Sequence, residues 1–116
     1  MQKYVRVMKA LSDPNRVRVL KILEGGPLCV CEIQEVLGLA QPTVSSHVKI
    51  LEDAGLVQKE RQGTWMIYSH ADGGDSVYAG TMLATLKDWL NEDAELQRMI
   101  AALPQAACRR VSALKK

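Results

Sequence analysis

Two cysteines separated by one residue, Cys29 and Cys31, are the side chains in this sequence best suited to binding an ion. Thiolates select soft ions, whereas carboxylate and carbonyl groups suit hard ones. The pair lies where the hydrophobic pattern predicts the amino-terminal end of a helix, and the unpaired N–H groups at such an end favour the thiolate. Glu32 opposes this effect, so we expect only modest activation of the thiols. The spacing therefore indicates a site for a soft ion.

The helical spacing of these cysteines has a mechanical consequence. On a regular helix, side chains two residues apart point roughly 200° away from each other, so they do not meet. Binding one ion through both sulfurs requires a first turn that is already irregular, or one that the ion unwinds. Because we expect this helix to pack behind the next one, distortion here would displace Thr43, Ser45 and Ser46. We take this as the hypothesis for ligand-induced release of a partner.

The polar segment after this helix has the residue types of a DNA-reading helix. The cysteine helix is predicted over residues 29–37 and ends at Gly38, and a second helix, which Pro42 opens, runs to Gly55. Two short helices joined by a tight turn containing glycine form a helix-turn-helix pattern. Because amino-terminal residues of the second helix face base edges in such units, the candidate DNA contacts are Gln41, Thr43, Ser45, Ser46, His47 and Lys49.

A β-hairpin is predicted directly after the reading helix. Residues 56–61 and 64–69 are strand-like, the second rich in aromatic and β-branched residues, and Gly63 lies in the turn. A hairpin at this position is the wing of a winged helix. At its tip, three side chains are candidates for contacts with the DNA backbone or minor groove: Arg61, Gln62 and Thr64.

The remaining helices frame this unit. A first amphipathic helix is predicted over residues 4–11, and a second begins at Pro14 with Asp13 as its cap. A fifth over residues 77–90 is apolar on two sides, and a sixth over 96–103 ends at Pro104. A stripe as wide as that of the fifth helix usually buries against two layers. We therefore expect a homodimer through the first and fifth helices, isologous pairs being the commonest assembly.

Composition limits the class of protein. The chain has 116 residues, 47% hydrophobic and 24% charged, which is typical of one globular domain with a core that needs no disulfides. We assign residues 1–103 to a mainly α winged helix-turn-helix domain for DNA binding and dimerisation, and residues 104–116 to a basic tail carrying Cys108. With no signal-peptide core and no apolar run near the roughly 18 residues of a membrane helix, we expect a cytoplasmic protein with reduced thiols and no membrane partner.

The distribution of charge gives only partial support to DNA binding. The net charge is +2, with six basic and two acidic groups in residues 1–27 and four basic and no acidic groups in residues 104–116. The predicted reading unit is slightly acidic, whereas a nucleic-acid binder usually shows a basic stripe. Any such stripe must be assembled from Lys49, Lys59, Arg61 and the terminal segments.

Five segments together resemble the ArsR/SmtB family of dimeric winged-helix repressors: residues 11–16, 28–32, 41–47, 51–57 and 61–68. The resemblance covers about residues 4–90, and the run from Cys29 to Ile33 is similar to the arsenical-resistance branch. It implies a repressor that leaves an inverted-repeat operator when trivalent arsenic or antimony binds to three thiolates. Dimer symmetry sets half-site centres about one helical turn of DNA, or a multiple, apart.

The sequence departs from that branch at the third ligand. The branch often has a third cysteine three residues after the second, where this chain has Gln34, whose amide is a poor ligand for a soft ion. Cys108, the only remaining thiol, is the candidate to complete the site. The zinc-sensing members carry an Asp/His set on the fifth helix, and the only histidines here are His47 and His70.

Three alternatives remain. A thiol redox or persulfide sensor on the same fold would use Cys108 as resolving partner to Cys29 or Cys31. A winged helix that binds only protein would show no salt-dependent DNA affinity. A thiol enzyme would need the Cys-x-x-Cys motif beside a βαβ unit, and no nucleophile–base pair, phosphate loop or carboxylate dyad stands out, so we expect neither catalysis nor a catalytic cofactor.

Overall fold

The computed structural model describes residues 1–71 and 76–106 and is mainly helical with one small sheet. Its elements in chain order are α1 (Gln2–Ala10), α2 (Pro14–Ile22), a 3-10 helix (Leu23–Gly25), β1 (Leu28–Cys29), α3 (Val30–Leu37), α4 (Gln41–Asp53), β2 (Val57–Gln62), β3 (Trp65–His70), α5 (Val77–Leu86) and α6 (Ala94–Ala106). The helix-turn-helix α3–α4 followed by the β2–β3 wing confirms the predicted winged helix-turn-helix. No helix in the described ranges is long and apolar enough to cross a membrane.

The corner between α1 and α2 forms as the sequence predicts. Asp13 Oδ1 accepts hydrogen bonds from the backbone N–H groups of Asn15 at 2.8 Å and Arg16 at 3.2 Å, which caps α2 ahead of Pro14. Arg16 Nε donates to the Ala10 carbonyl at 2.8 Å, where α1 ends. One side chain thus starts α2 and another closes α1.

The sheet has one strand more than the sequence predicted. β2 and β3 form the expected antiparallel hairpin, with Gly63 at the turn in the left-handed region (φ 62°). β1 adds to the other edge of β3, with Leu28 opposite Tyr68 and Cys29 opposite Ile67. The prediction that α3 starts at about Cys29 is confirmed to within one residue, because the helix starts at Val30 and Cys29, which precedes it, has an extended backbone (φ −86°, ψ 165°).

The core lies between the helix-turn-helix and the surrounding helices. In α4, Val44, Val48 and Leu51 are fully buried, as predicted. α3 packs against α4 on one side and α6 on another. The cysteine-bearing helix is therefore in contact with both the reading helix and the segment that leads to the tail.

α5 is shorter than predicted and α6 is longer. α5 ends at Leu86 rather than residue 90, because buried Lys21 donates from Nζ to the Leu86 carbonyl at 2.7 Å and to Asn91 Oδ1 at 3.0 Å, and Leu90 takes a left-handed conformation (φ 64°). α6 continues through Pro104 to Ala106. A proline removes the hydrogen bond of its own nitrogen, and here the helix runs on for two more residues.

Candidate ion-binding and DNA-reading sites

The sulfurs of Cys29 and Cys31 lie 2.8 Å apart. Cys29 is the extended residue before α3 and Cys31 belongs to its first turn, so the strand-to-helix corner turns both side chains toward one point. Both are free thiols, and their separation exceeds the roughly 2.05 Å of a disulfide. Two sulfurs that bind one ion at about 2.3 Å each can be at most about 4.6 Å apart. The pair already meets this condition because Cys29 lies before α3, so the sulfurs come together without unwinding of the helix.

Glu32 fixes this corner. Its carboxylate Oε1 accepts a hydrogen bond from the Cys29 backbone N–H at 2.8 Å, and its own backbone N–H is directed at the Cys29 sulfur. This reciprocal arrangement is a capping box, in which a cysteine stands where Ser or Thr is usual. Glu32 is fully buried and Cys29 is 1% exposed. The Cys29 side chain is therefore held by β1, by the capping box and by its neighbour Cys31.

Burial raises the pKa of the Cys29 thiol to about 12, and the hydrogen bond with Cys31 adds to the effect. The Glu32 N–H lowers this pKa and the Glu32 carboxylate raises it, and burial outweighs the favourable N–H. The prediction of modest activation was therefore wrong for Cys29. The helix terminus does supply the expected N–H, but the side chain beneath it lies in the core.

Cys31 is the accessible member of the pair. It is half-buried and lines an open cavity of about 330 Å³ with Gln34, Glu35, Gly38 and Leu39. An ion approaching from solvent reaches this sulfur first. Gln34, the residue at the position of the missing third cysteine, lies on the wall of the same cavity.

The third ligand is not found among the described residues. Residues 1–71 and 76–106 contain no group of three or more His, Cys, Asp or Glu side chains that could hold a metal ion. Cys108 lies outside the described residues. α6, which packs against α3, is described as far as Ala106, two residues before Cys108 in the chain.

The polar face of α4 is open to solvent. Five predicted DNA contacts on this helix are exposed: Gln41, Thr43, Ser45, Ser46 and Lys49. Lys49 Nζ lies 3.3 Å from Asp53 Oδ1, one turn further along. The predicted contacts at the tip of the wing, Arg61, Gln62 and Thr64, are exposed as well. Lys59 of β2 and Glu52 of α4, 3.6 Å apart, tie the wing to the reading helix.

His47 differs from the other predicted contacts. It is half-buried, and its Nδ1 is buried with no hydrogen-bond partner in the described part of the chain. Burial raises the pKa of Asp13, but hydrogen bonds from Arg16 and Asn15 and the charges of His47 and Arg16 outweigh it, so this pKa is lowered. His47 therefore lies near the start of α2, and its contact with DNA stays a prediction.

Two structural roles in this framework were not predicted from the sequence: the capping by Glu32 and the burial of Lys21. The spacing from Cys29 to Glu32 is that of a capping box, a signal that a search admitting only Ser or Thr at the first position misses. Lys21 sits in an apolar stretch of α2, and nothing local predicts that a lysine there is 2% exposed. Besides Glu24, which lies three residues further along the chain at 3.0 Å, its partners are Leu86 and Asn91, 65 and 70 residues away in the chain.

The model of the family described as "Bacterial regulatory protein, arsR family" matches residues 13–59. The HTH-type transcriptional regulator MJ1325 of Methanocaldococcus jannaschii is 43% identical over 62% of this chain and 85% of its own. The arsenical resistance operon repressor of Bacillus subtilis is 38% identical over 62% and 70%. The arsenic resistance transcriptional regulator ArsR1 of Pseudomonas putida is 35% identical over 86% and 81%.

Solved structures with the same fold are also similar to this chain. The homodimeric winged helix-turn-helix DNA-binding domain of Mb0332 from Mycobacterium bovis superposes with a TM-score of 0.65 at 28% identity, over 74% of this chain and 76% of that one. Reduced HlyU from Vibrio cholerae superposes with a TM-score of 0.62 at 27% identity, over 73% and 85%.

The fold and the thiol pair together define a winged helix-turn-helix regulator with two sulfurs at the start of α3, the first helix of its helix-turn-helix. The chain belongs to the arsR family of bacterial regulatory proteins and is a DNA-binding transcriptional repressor.

Proposed function

We propose that this repressor is released from its operator when trivalent arsenic or antimony binds to Cys29 and Cys31, with Cys108 as the third thiolate. The observation that carries the proposal is the 2.8 Å separation of the two sulfurs, at a corner held by buried hydrogen bonds. The relatives named as arsenical resistance repressors support the choice of ion. Sulfur ligands suit such soft ions better than they suit magnesium or calcium.

The high pKa of Cys29 does not oppose this chemistry. Arsenite is present near neutral pH as the uncharged hydroxide As(OH)₃. As each As–S bond forms, the thiol proton and one hydroxide leave together as water, so three thiols yield a neutral complex and three waters. The oxidation state of arsenic is unchanged, and no proton is released to solvent. Burial of Cys29 therefore favours a ligand that arrives and remains uncharged.

Release follows from the elements on which the two sulfurs lie. Cys29 pairs with Ile67 of the wing strand β3, whereas Cys31 belongs to α3, which packs against α4. A bound ion replaces the hydrogen bond between the sulfurs with bonds of fixed length and angle, and drawing in a third ligand pulls on both elements. Wing and reading helix then leave the relative position in which they fit DNA.

The operator complex is a homodimer that contacts DNA through Gln41, Thr43, Ser45, Ser46, His47 and Lys49 of α4 and through Arg61, Gln62 and Thr64 of the wing. Supporting the dimer, α1 and α5 carry exposed apolar side chains on adjoining surfaces. Tyr4 and Tyr78 pack edge to face with ring centroids 5.6 Å apart while each remains over 40% exposed, and Val77 is 78% exposed. A two-fold dimer predicts an inverted-repeat operator.

The alternative is a redox or persulfide sensor, which the closeness of the two sulfurs also favours. Oxidation requires a thiolate, and the raised pKa of Cys29 works against one. Titrating the protein–operator complex with arsenite in excess reductant, and separately with hydrogen peroxide after the reductant is removed, distinguishes the two. The proposal expects release by arsenite under full reduction. Release by peroxide together with no release by arsenite would overturn the proposal.

A further inference from the structure

α1 divides into two flanks of opposite chemistry. Lys3, Arg6 and Lys9 recur at helical spacing on one flank, and the aromatic pair Tyr4–Tyr78 lies on the other, toward α5. Residues three apart are neighbours on a helix surface, so the three cations form a continuous row. We call this row the α1 basic row.

The α1 basic row borders the reading helix. Arg6 and Lys9 line an open groove of about 520 Å³ with Ile50, Asp53 and Ala54 of α4. Lys3 and Arg6 line a second groove, of about 270 Å³, with Glu52, Asp53, Ala54, Gly55 and Ser76. Ile50 is 38% exposed and directly follows Lys49, a predicted DNA contact. The row therefore borders the last turn of α4 and the turn that follows it.

The acidic groups in these grooves are already engaged by other cations. Asp53 pairs with Lys49 at 3.3 Å, and Glu52 pairs with Lys59 at 3.6 Å. Within the described residues, the side chains of Arg6 and Lys9 have no ion-pair or hydrogen-bond partner. Two cations thus remain available beside a helix that carries exposed Ser and Thr side chains.

We infer that the α1 basic row binds phosphates of the DNA backbone along one edge of the groove that α4 enters. This inference rests on the proposed DNA-binding function and adds a contact surface to it. The wing also contacts α4, through Lys59 paired with Glu52, and carries Arg61 exposed near its tip, so basic side chains of α1 and of the wing both border the reading helix. Phosphate contacts fix register but carry no sequence information directly. The row thus supplies the basic charge that the reading unit itself lacks.

The test compares the salt dependence of DNA binding for wild type, Arg6→Gln, Lys9→Gln and the double variant, by fluorescence anisotropy on operator and on random duplex. Lys87→Gln is the matched control, because it removes one exposed charge on the turn after α5. Each lost phosphate contact lowers the slope of log K against log salt by about 0.9. In a dimer every substitution counts twice, so each lowers the slope by about 1.8. Affinity falls by a similar factor on both duplexes, and Arg6→Lys restores the slope.

Three results would overturn the inference while leaving the proposed function intact. They are a double variant with the slope and affinity of wild type, a loss confined to the operator duplex, and a Lys87→Gln variant with an equal loss. For each variant, the salt concentration is set so that the same fraction of operator is bound at the start. Under these conditions the arsenite concentration that releases half of the protein equals that of wild type. A wild-type protein that does not bind operator DNA at all would instead contradict the proposed function.

Discussion

The corner that holds the two thiols and the face of α4 that is proposed to read DNA are neighbours that differ in burial. At the corner, Cys29 is 1% exposed and Glu32 is fully buried, and backbone pairing with β3 fixes the position of Cys29. On α4 the predicted contacts are exposed, and Lys49 makes only a solvent-exposed ion pair, which contributes little. The difference in burial suits the corner to transmitting a change of structure and the face of α4 to contacting a partner.

A buried corner transmits force because it has few ways to relax. Interiors are close-packed and transmit strain, so a change in sulfur position at Cys29 reaches β3 and α3 instead of dissipating in side-chain motion. An exposed face keeps its polar groups free to meet base edges and phosphates. Under the proposed function, the ligand acts on the rigid region and DNA is read by the adaptable one.

The two thiols should differ in reactivity. With a pKa of about 12, Cys29 at pH 8 holds roughly a thousandth of the thiolate of an ordinary cysteine. We expect iodoacetamide to modify Cys31, on its open cavity, far faster than Cys29, as measured by mass spectrometry of timed samples. Urea should remove the difference. Equal rates in the folded protein would contradict the buried corner.

The same raised pKa gives a dependence of stability on pH. The folded state keeps the Cys29 proton to a higher pH than the unfolded state does, so its contribution is complete below about pH 8.5 and is lost as pH rises toward 12. The free energy of unfolding of Cys29→Ser should therefore fall less than that of wild type between pH 8.5 and 10.5.

Glu32→Ala should destabilise the corner. It removes the side-chain oxygen that accepts the Cys29 N–H, and we expect a loss of about 2 kcal/mol in the free energy of unfolding by urea. Glu32→Gln keeps an oxygen in place and should lose less. The matched control is Glu35→Ala on the exposed side of the same helix, which should change stability by less than about 0.5 kcal/mol. Equal effects at the two positions would remove the distinction between corner and surface.

Ser45→Ala and Ser46→Ala should have the smallest effect on folding and a selective effect on binding. Both residues are exposed on α4, and alanine is the better helix former, so stability should stay within about 0.5 kcal/mol of wild type. We expect the preference for operator over random duplex to fall several-fold, because amino-terminal residues of the second helix face base edges in helix-turn-helix proteins. An unchanged preference would show that both serines are only helix surface.

The sequence predicted the parts of the fold that have a local signal. Asp13 and Pro14 at the start of α2, the periodic core positions of α4 and Gly63 in the hairpin turn all lie where expected. β1 has only two residues, too few for an alternating pattern, and is stabilised by a strand almost forty residues later. Burial by distant elements likewise raised the pKa of Cys29, which local rules predicted would be lowered.

The candidate ion site was predicted in composition but not in shape. The spacing of Cys29 and Cys31 predicted the candidate ligands, and their binding of an ion stays a prediction. The two sulfurs come together because Cys29 lies before the helix and not within it. The extended backbone of Cys29 depends on the pairing of β1 with the wing strand β3, which the sequence did not predict. That pairing also extends the hypothesis for release, because the wing joins the reading helix as an element that the ion displaces.

Arsenite titration of the protein–operator complex in excess reductant tests the central claim most directly, with wild type, the double variant Cys29→Ser/Cys31→Ser and the single variant Cys108→Ser compared by anisotropy. We expect the double variant to bind operator and to stay bound at every arsenite concentration that releases wild type. We expect Cys108→Ser to need more arsenite than wild type. A double variant that leaves the operator at the wild-type arsenite concentration would contradict the account.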